Sequence, residues 1–278
     1  MAQYVLAGSA RSVLVDTGLP HTPAGAIAPY LESIGLGLDA IDEVLISHAD
    51  NDHCGGNRAL RDLQPRARFA CHELDRRWIE SNAALVAENY LWHEEHGFEE
   101  PDEAGRAELH ASCGGDAPID EGLRGGETLR LADDWRVEIL HLPGHSPGHI
   151  GVWDPRSRAA IVIDAMLERG IYSRAGELLI PPRIYDLRAY RETIARVRAL
   201  EPELLLTAHW PVFDAAAARD FLDRSLAFTA ELERAVREEI AAGTTELWPL
   251  TQRMNDRFGP YPEFMTELGA SVRAVTKL

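Results

Sequence analysis

The sequence predicts an α/β fold built as two similar halves, and three observations carry that prediction. Short apolar runs alternate with amphipathic stretches from Tyr4 to Thr207. Clusters of glycine, proline and aspartate punctuate them as turns. The clearest strand, Ile41 to Ile46, runs into Ser47-His48-Ala49-Asp50-Asn51-Asp52-His53-Cys54-Gly55-Gly56, and a helix begins at Asn57 and reaches Leu63. A strand that delivers four closely spaced metal-capable side chains into a turn, with two glycines relaxing the backbone, suits a metal site. Imidazole and carboxylate at this density favour zinc, iron or manganese over calcium, which takes oxygen ligands alone.

Composition narrows the classes of function. A chain of 278 residues, 45% hydrophobic and 26% charged, can bury a full core as one large domain or one domain plus a small appendage. No apolar run approaches the ~20 residues of a membrane span, and the N-terminus shows no basic stretch followed by an apolar core. The expectation is therefore a cytoplasmic protein without a membrane partner. Cys54, Cys71 and Cys113 make no disulfide framework and read as reduced thiols. Acidic residues outnumber basic ones by 45 to 28, a net charge of -17, and no basic patch is concentrated locally. Such a field repels phosphate backbones, so nucleic acid is not the expected partner and a small molecule is.

His48-x-Asp50-x-Asp52-His53 resembles the HxHxDH signature of the metallo-β-lactamase-fold hydrolases, with Asp50 in place of the second histidine. Four further features match the same family in the same order: Val15-Asp16-Thr17-Gly18, Pro143-Gly144-His145-Ser146-Pro147-Gly148-His149, Asp164 closing the apolar run Ala160 to Ile163, and His209 in Thr207-Ala208-His209-Trp210-Pro211. Together they cover roughly residues 4 to 213. The resemblance implies a four-layer αβ/βα sandwich with a metal site at one edge of two facing sheets. It also implies a domain organisation: a catalytic domain over 1–213, carrying a helical cap insertion at about 72–118, and a C-terminal helical subdomain over 214–278.

Taken in order, Tyr4 to Ala7 and Ser12 to Val15 form a hairpin around Gly8-Ser9-Ala10. The family has a strand before this pair, so either the start is truncated or the sheet edge is shorter here. Asp16 reads as a structural hydrogen-bond acceptor beside the site, and His21 as a surface histidine. Ala24 to Ile34 reads as an amphipathic helix stopped by Gly35 and Gly37. Ala67 to Cys71 is a strand. Glu73 to Glu95 has helical periodicity and runs into a Gly/Glu/Asp-rich stretch as far as Pro118. That is too long for a plain connection, so it reads as a cap that shapes the substrate pocket. His93-Glu94-Glu95-His96 reads as a solvated helix end, and Trp78, Tyr90 and Trp92 as side chains packing the insertion onto the core.

In the second half, Thr128 to Leu131, Arg136 to Leu142 and His149 to Asp154 are strands, with His141 in a core or sheet-surface position. Asp186 caps a helix reaching Leu200, and Leu204 to Thr207 is a buried strand whose end presents His209. Asp214 to Ala241 reads as one long helix, followed by two shorter helical stretches. With no basic face, this tail reads as a packing element or as the surface of a homodimer.

Carried over by motif position, the resemblance implies two divalent ions, zinc first, with manganese or iron as alternatives. The first ion takes His48, Asp50 and His145, the second takes Asp52, His53 and His209, and Asp164 bridges them. A single ion would leave several of these seven donors uncompensated, and clustered carboxylates are costly without cations. Asp50 either ligates directly, through a water, or swings away. As a ligand it adds negative charge and lowers the Lewis acidity of its ion. The change counts against a mononuclear iron dioxygenase. The expected enzyme is a metallo-hydrolase of an ester, lactone or thioester that uses a metal-bridging hydroxide, with Asp52 orienting the nucleophile and His149 supporting a ligand. Tyr172 or Tyr185 supplies a phenol to polarise the carbonyl or protonate the leaving group. The alternatives are a phosphodiesterase or nuclease of the same fold, which the charge opposes, and a degenerate binding module, which the remaining ligands oppose.

Overall fold

The computed structural model describes residues 1–262 and 264–276, so Glu263, Lys277 and Leu278 of the expected 214–278 subdomain lie outside the described residues. The chain divides into two compact units. The first comprises residues 1–92, 101–141 and 148–157, and the second residues 93–100, 142–147 and 158–278.

In the first unit, Tyr4–Ala7 (β1), Ser12–Val15 (β2), Glu43–Ile46 (β3), Arg68–His72 (β4) and Glu121–Leu123 (β5) form a sheet in that order. β1 and β2 make the predicted hairpin, and β2 to β5 run parallel, with Val13 opposite Glu43, Val44 opposite Phe69 and Ala70 opposite Glu121. Every residue of β2 and β3 is buried, as expected of parallel strands covered on both faces. Leu14, Val44, Ile46 and Phe69 pack into one core with Leu31 and Leu60 from the helices Ala28–Ser33 (α1) and Asn57–Leu63 (α3). Between those helices lies a single turn, Asn51–Cys54 (α2). Because the strands are parallel, their carboxyl ends share one edge of the sheet. Asp16, His48 and the following donors sit just beyond those ends, where α/β sheets place their ligands. Thr128–Arg130 (β6), Arg136–His141 (β7) and Ile150–Asp154 (β8) form an antiparallel meander.

The cap segment departs from the single helix its periodicity suggests. It breaks into Arg76–Glu80 (α4), Asn82–Ala84 (α5), a wide π turn over Leu85–Tyr90, and, in the second unit, a 3-10 turn at Glu94–His96. Ser81 interrupts the first pair by accepting from the Ala84 N–H, the behaviour of a cap and not of a helix interior. The Gly/Glu/Asp-rich stretch is also more ordered than expected. It holds the helix Glu103–Ser112 (α6), started by Asp102 accepting from the Gly105 N–H. Trp78 and Tyr90 do pack onto the core, as the sequence suggests. His93 is a correction to the solvated reading of His93 to His96: it is buried and lies against Phe98, while Glu94 and Glu95 are exposed as expected.

In the second unit, Ala159–Ile163 (β9) runs parallel to Leu204–Thr207 (β12), and Phe213–Asp214 (β13) pairs antiparallel with β12. Ile171–Tyr172 (β10) and Leu178–Ile180 (β11) form a separate hairpin. Four helices follow the predicted pattern: Leu187–Ala199 (α7), Ala215–Ala241 (α8), Leu247–Phe258 (α9) and Met265–Thr276 (α10). Asp186 caps α7 by accepting from the Ala189 N–H, and Asp214 caps α8 by accepting from Ala216 and Ala217. The buried stripe of α8 (Ala218, Phe221, Leu222, Ser225, Phe228, Leu232 and Val236) repeats at helical spacing, and α7, α9 and α10 pack around this helix. No helix among the described residues is long and apolar enough to cross a membrane.

Candidate metal centre

The metal loop is organised by Asp16, which directly follows β2. Its carboxylate is fully buried and accepts three hydrogen bonds: from the Ser47 N–H at 2.7 Å, from the Ser47 hydroxyl at 2.8 Å and from His53 Nδ1 at 2.8 Å. The sequence expectation of an acceptor, not a ligand, describes this role. Asp16 reaches it with φ of 64°, a left-handed conformation that aspartate tolerates better than most residues. Thr17 ties the same turn to the loop, donating from its N–H to the His53 carbonyl and from its hydroxyl to Asn57 Oδ1.

These contacts determine which ring nitrogen of each histidine faces outward. His53 Nδ1 must carry the proton it gives to Asp16, which leaves Nε2 with a lone pair. The Ser47 hydroxyl donates its only proton to Asp16, so at 2.9 Å it can only accept from His48 Nδ1, and His48 Nε2 likewise keeps a lone pair. Fixing one nitrogen by a carboxylate or hydroxyl so that the other can ligate is how proteins orient metal-binding imidazoles. Each Nε2 then meets a carboxylate oxygen: His48 Nε2 lies 3.2 Å from Asp50 Oδ2, and His53 Nε2 lies 3.6 Å from Asp52 Oδ2. Ligands about 2.0–2.1 Å from a tetrahedral ion are about 3.3 Å from one another, so both pairs have the separation of neighbours around one cation. Two lone pairs facing each other at this range repel unless a proton or a cation lies between them. The donor set fits a metal ion, and Asp50 lies beside His48 at a distance that suits either a shared ion or a hydrogen bond.

Three further predicted donors, His145, Asp164 and His209, belong to the second unit. His145 Nδ1 lies 3.1 Å from the Arg183 carbonyl, an acceptor only, so its Nε2 also keeps a lone pair. Gly144 makes this turn possible. Its φ is 130°, and a Cβ there would meet Tyr190 Cα at 2.3 Å. Asp164 follows Ile163, a β-branched residue held at φ of 51° where the pairing of β9 with β12 shifts register, and His209 follows the end of β12. His209 Nε2 lies 3.0 Å from Asp164 Oδ2, the same histidine–carboxylate pairing once more.

Other predicted residues sit as follows. His149 is fully buried and stacks on His48 with ring centroids 4.7 Å apart, the supporting position expected of it. Tyr172 lies on β10 and Tyr185 precedes the Asp186 cap; both are exposed, at 37% and 52%. Burial raises the Tyr172 phenol above its usual range, with Glu168 adding to the effect. All three cysteines are free and buried; burial raises the Cys54 and Cys71 thiols and pushes that of Cys113 up to about 11, so they behave as packing residues.

Two supporting residues, Asp75 and Asn89, and the hydroxyl contact of Tyr90 escaped the sequence reading. Asp75 accepts from the Gly148 N–H at 2.6 Å and pins the end of the Pro-Gly-His loop. Asn89 donates to the Ala49 carbonyl at 3.1 Å and approaches Asp50 Oδ1 at 3.5 Å. The Tyr90 hydroxyl accepts from the Asn51 N–H at 2.7 Å. The π turn therefore grips three consecutive residues of the metal loop, and no motif or spacing marks a polar residue in a broken helix for that task.

A second histidine pair lies away from the ligands. His72 and His141 stack with centroids 4.0 Å apart, and His72 Nδ1 accepts from the Leu74 N–H. Burial and then the facing His141 lower the pKa of His72, against smaller opposing effects of Glu73 and Glu127. A histidine whose folded pKa is below its unfolded value favours folding above about 6.5, and this contribution is lost as the pH falls below that value. The urea midpoint should therefore drop between pH 7 and pH 5 more steeply in the parent than in His72→Asn. Equal slopes would show that the pair carries no such linkage.

With this geometry in hand, the comparisons with known proteins can be read. The family model described as the metallo-beta-lactamase superfamily matches residues 2–209. A metallo-beta-lactamase family protein from Thermus thermophilus superposes with a TM-score of 0.73 over 97% of this chain and 86% of that one, at 22% identity, which establishes the fold. It is the αβ/βα sandwich expected from the sequence. Probable metallo-hydrolase YqjP of Bacillus subtilis is 24% identical over 223 residues, 74% of this chain and 66% of YqjP, so the chain spans just under two thirds of that relative. Hydroxyacylglutathione hydrolase GloC of Haemophilus influenzae is 48% identical over a stretch of 46 residues, 16% of this chain and 21% of GloC. With most of its length matched by the family model, this chain belongs to the metallo-beta-lactamase superfamily.

Proposed function

We propose that the protein is a dinuclear metal-dependent hydrolase of a small carbonyl substrate: an ester, lactone or thioester. The observation that carries this reading is the set of three histidines, His48, His53 and His145, whose Nδ1 atoms are engaged by fixed acceptors, the arrangement that leaves the lone pair on Nε2. In this reading His48, His145 and Asp164 form one trio of donors and Asp52, His53 and His209 the other, with Asp50 completing the first and Asp164 shared. Zinc is the proposed ion, since imidazole predominates among the donors; manganese and iron are the alternatives. When bound, such ions lower the pKa of water towards neutrality and polarise a carbonyl.

The chain's own residues do the rest. Asp16 holds two of the imidazoles in the ligating tautomer. Asp52 orients the nucleophile and accepts its proton. Tyr172 or Tyr185 donates a phenolic hydrogen bond to the carbonyl or the leaving group. The net charge of -17 supports an uncharged or weakly charged substrate over a polynucleotide. The name of GloC supports placing hydroxyacylglutathione beside esters and lactones in the assay panel. A cap at about 72–118 on a 1–213 catalytic domain, a 214–278 helical subdomain, a cytoplasmic location and a homodimer belong to the same proposal.

The test is metal content per chain in protein purified without chelator, followed by the panel. Two ions per chain with turnover of one carbonyl class is the expected result. Metal-loaded protein that hydrolyses none of the three classes would overturn the reading.

A further inference from the structure

The family match ends at residue 209, yet the last helix, α10, is wired to a ligand of the proposed site. The chain of contacts begins at His145, whose Nδ1 proton is accepted by the Arg183 carbonyl at 3.1 Å. That carbonyl can hold the imidazole only if residues 182–184 are themselves fixed. Ser271 fixes them on both sides of Arg183: its hydroxyl donates to the Pro182 carbonyl at 2.5 Å and accepts from the Ile184 N–H at 2.9 Å. One turn earlier on α10, Glu267 pairs with the Arg183 guanidinium, with Nε and Oε2 3.4 Å apart and the Arg183 side chain nearly buried. Ser271 has no exposed surface, and every hydrogen bond it makes outside α10 goes to this segment.

We infer that α10 is part of the metal-binding apparatus, with Ser271 as a positioning residue that orients His145 through the Arg183 carbonyl, and Glu267 reinforcing it. The inference rests on the metal reading above. Its physical basis is that groups hydrogen-bonded behind a ligating histidine set its tautomer and direction, and that removing them typically weakens metal binding by 10–100-fold. An appendage serving only for packing would contribute to stability without selecting one ion over the other.

The experiment measures the affinity of the full-length chain for each of its two zinc ions by competition with a chromophoric chelator. Cobalt substitution reports the same site through its visible spectrum. Ser271→Ala is expected to weaken one ion at least tenfold, leave the other unchanged and perturb the cobalt bands. Glu267→Gln, which keeps the shape of the side chain, is expected to weaken the same ion less, and it carries the test if Ser271→Ala does not fold. Thr251→Val is the control for damage to the helical extension, because Thr251 is equally buried but its hydroxyl donates only within α9, to Leu247. In a His145→Ala background, Ser271→Ala should change neither remaining affinity, because its effect runs through His145.

Ser271→Ala with both affinities intact, or with both reduced together as in Thr251→Val, would overturn the inference. A His145→Ala protein that binds both ions as tightly as the parent would overturn the metal reading and this inference with it. His145→Ala weakening one ion while Ser271→Ala weakens none would overturn the inference alone.

Discussion

Replacing Asp16 by asparagine should weaken metal binding by 10–100-fold, although Asp16 is not a ligand. The buried carboxylate is acceptor-only and receives three protons, two from Ser47 and one from His53 Nδ1. Asparagine keeps one acceptor oxygen and brings an NH2 group into a position where only donors face it. The least costly relief is for His53 to move its proton from Nδ1 to Nε2, which occupies the lone pair the ion would use. In that same orientation, with the NH2 at the Oδ2 position, the Ser47 hydroxyl also loses its acceptor, and the tautomer of His48 loses its constraint. With the NH2 at the Oδ1 position it is the Ser47 N–H that loses its acceptor, which displaces the residue leading into the loop. Either way the loop that carries these imidazoles is disturbed, and outer partners of this kind carry effects of that size. Chelator competition on Asp16→Asn checks it. Parent-like affinity would mean the histidines adopt the ligating tautomer without Asp16, and the tautomer argument would fail.

Stripping the ions should destabilise the protein by a comparable margin. Free ligand at 100 times its dissociation constant adds about 2.7 kcal/mol per site, so two occupied sites contribute about 5 kcal/mol. The histidine–carboxylate pairs at 3.2, 3.6 and 3.0 Å have geometries that call for a cation or a proton between the partners, so stripped protein would have to bind protons there instead. Ligands must be deprotonated to bind, so the metal-dependent increment should shrink as the pH falls from 7 to 5. Asp50→Ala should remove roughly half of it if Asp50 ligates the first ion. Urea unfolding with and without added zinc, in parent and Asp50→Ala, measures both quantities. An unfolding midpoint that ignores zinc would contradict the donor geometry. An unchanged increment in Asp50→Ala would take Asp50 out of the ligand set.

Asp50 illustrates how far residue spacing can be read. Its place in the loop follows from the motif, and the departure from histidine is visible in the sequence. Whether it ligates or swings away is not, because that depends on the Asn89 and Tyr90 contacts from a π turn about forty positions later. The cap shows the same limit. Its apolar periodicity is real and its tryptophan and tyrosine pack as expected, but Ser81 acts as a cap that cuts the apparent helix, and Asp102 starts a further helix in the polar stretch beyond it. Such competition between side chain and backbone is decided by which neighbours satisfy the polar groups.

By itself the sequence determined what is local in the chain. Strand and helix periodicity, the Asp186 cap, the glycine turns and the order of the ligand motifs all depend on residues within a few positions of one another. These were enough to predict the α/β fold, the family and the donors His48, Asp50, Asp52, His53, His145, Asp164 and His209. Tertiary structure alone decided the proton positions on the histidines and the supports behind them. Asp16 meets His53 across 37 positions, Asp75 meets Gly148 across 73, and Ser271 meets Pro182 across 89. Hydrogen bonds between residues so far apart leave no periodic trace, because they depend on chain crossovers that bring single polar groups together inside a core where each must find a partner.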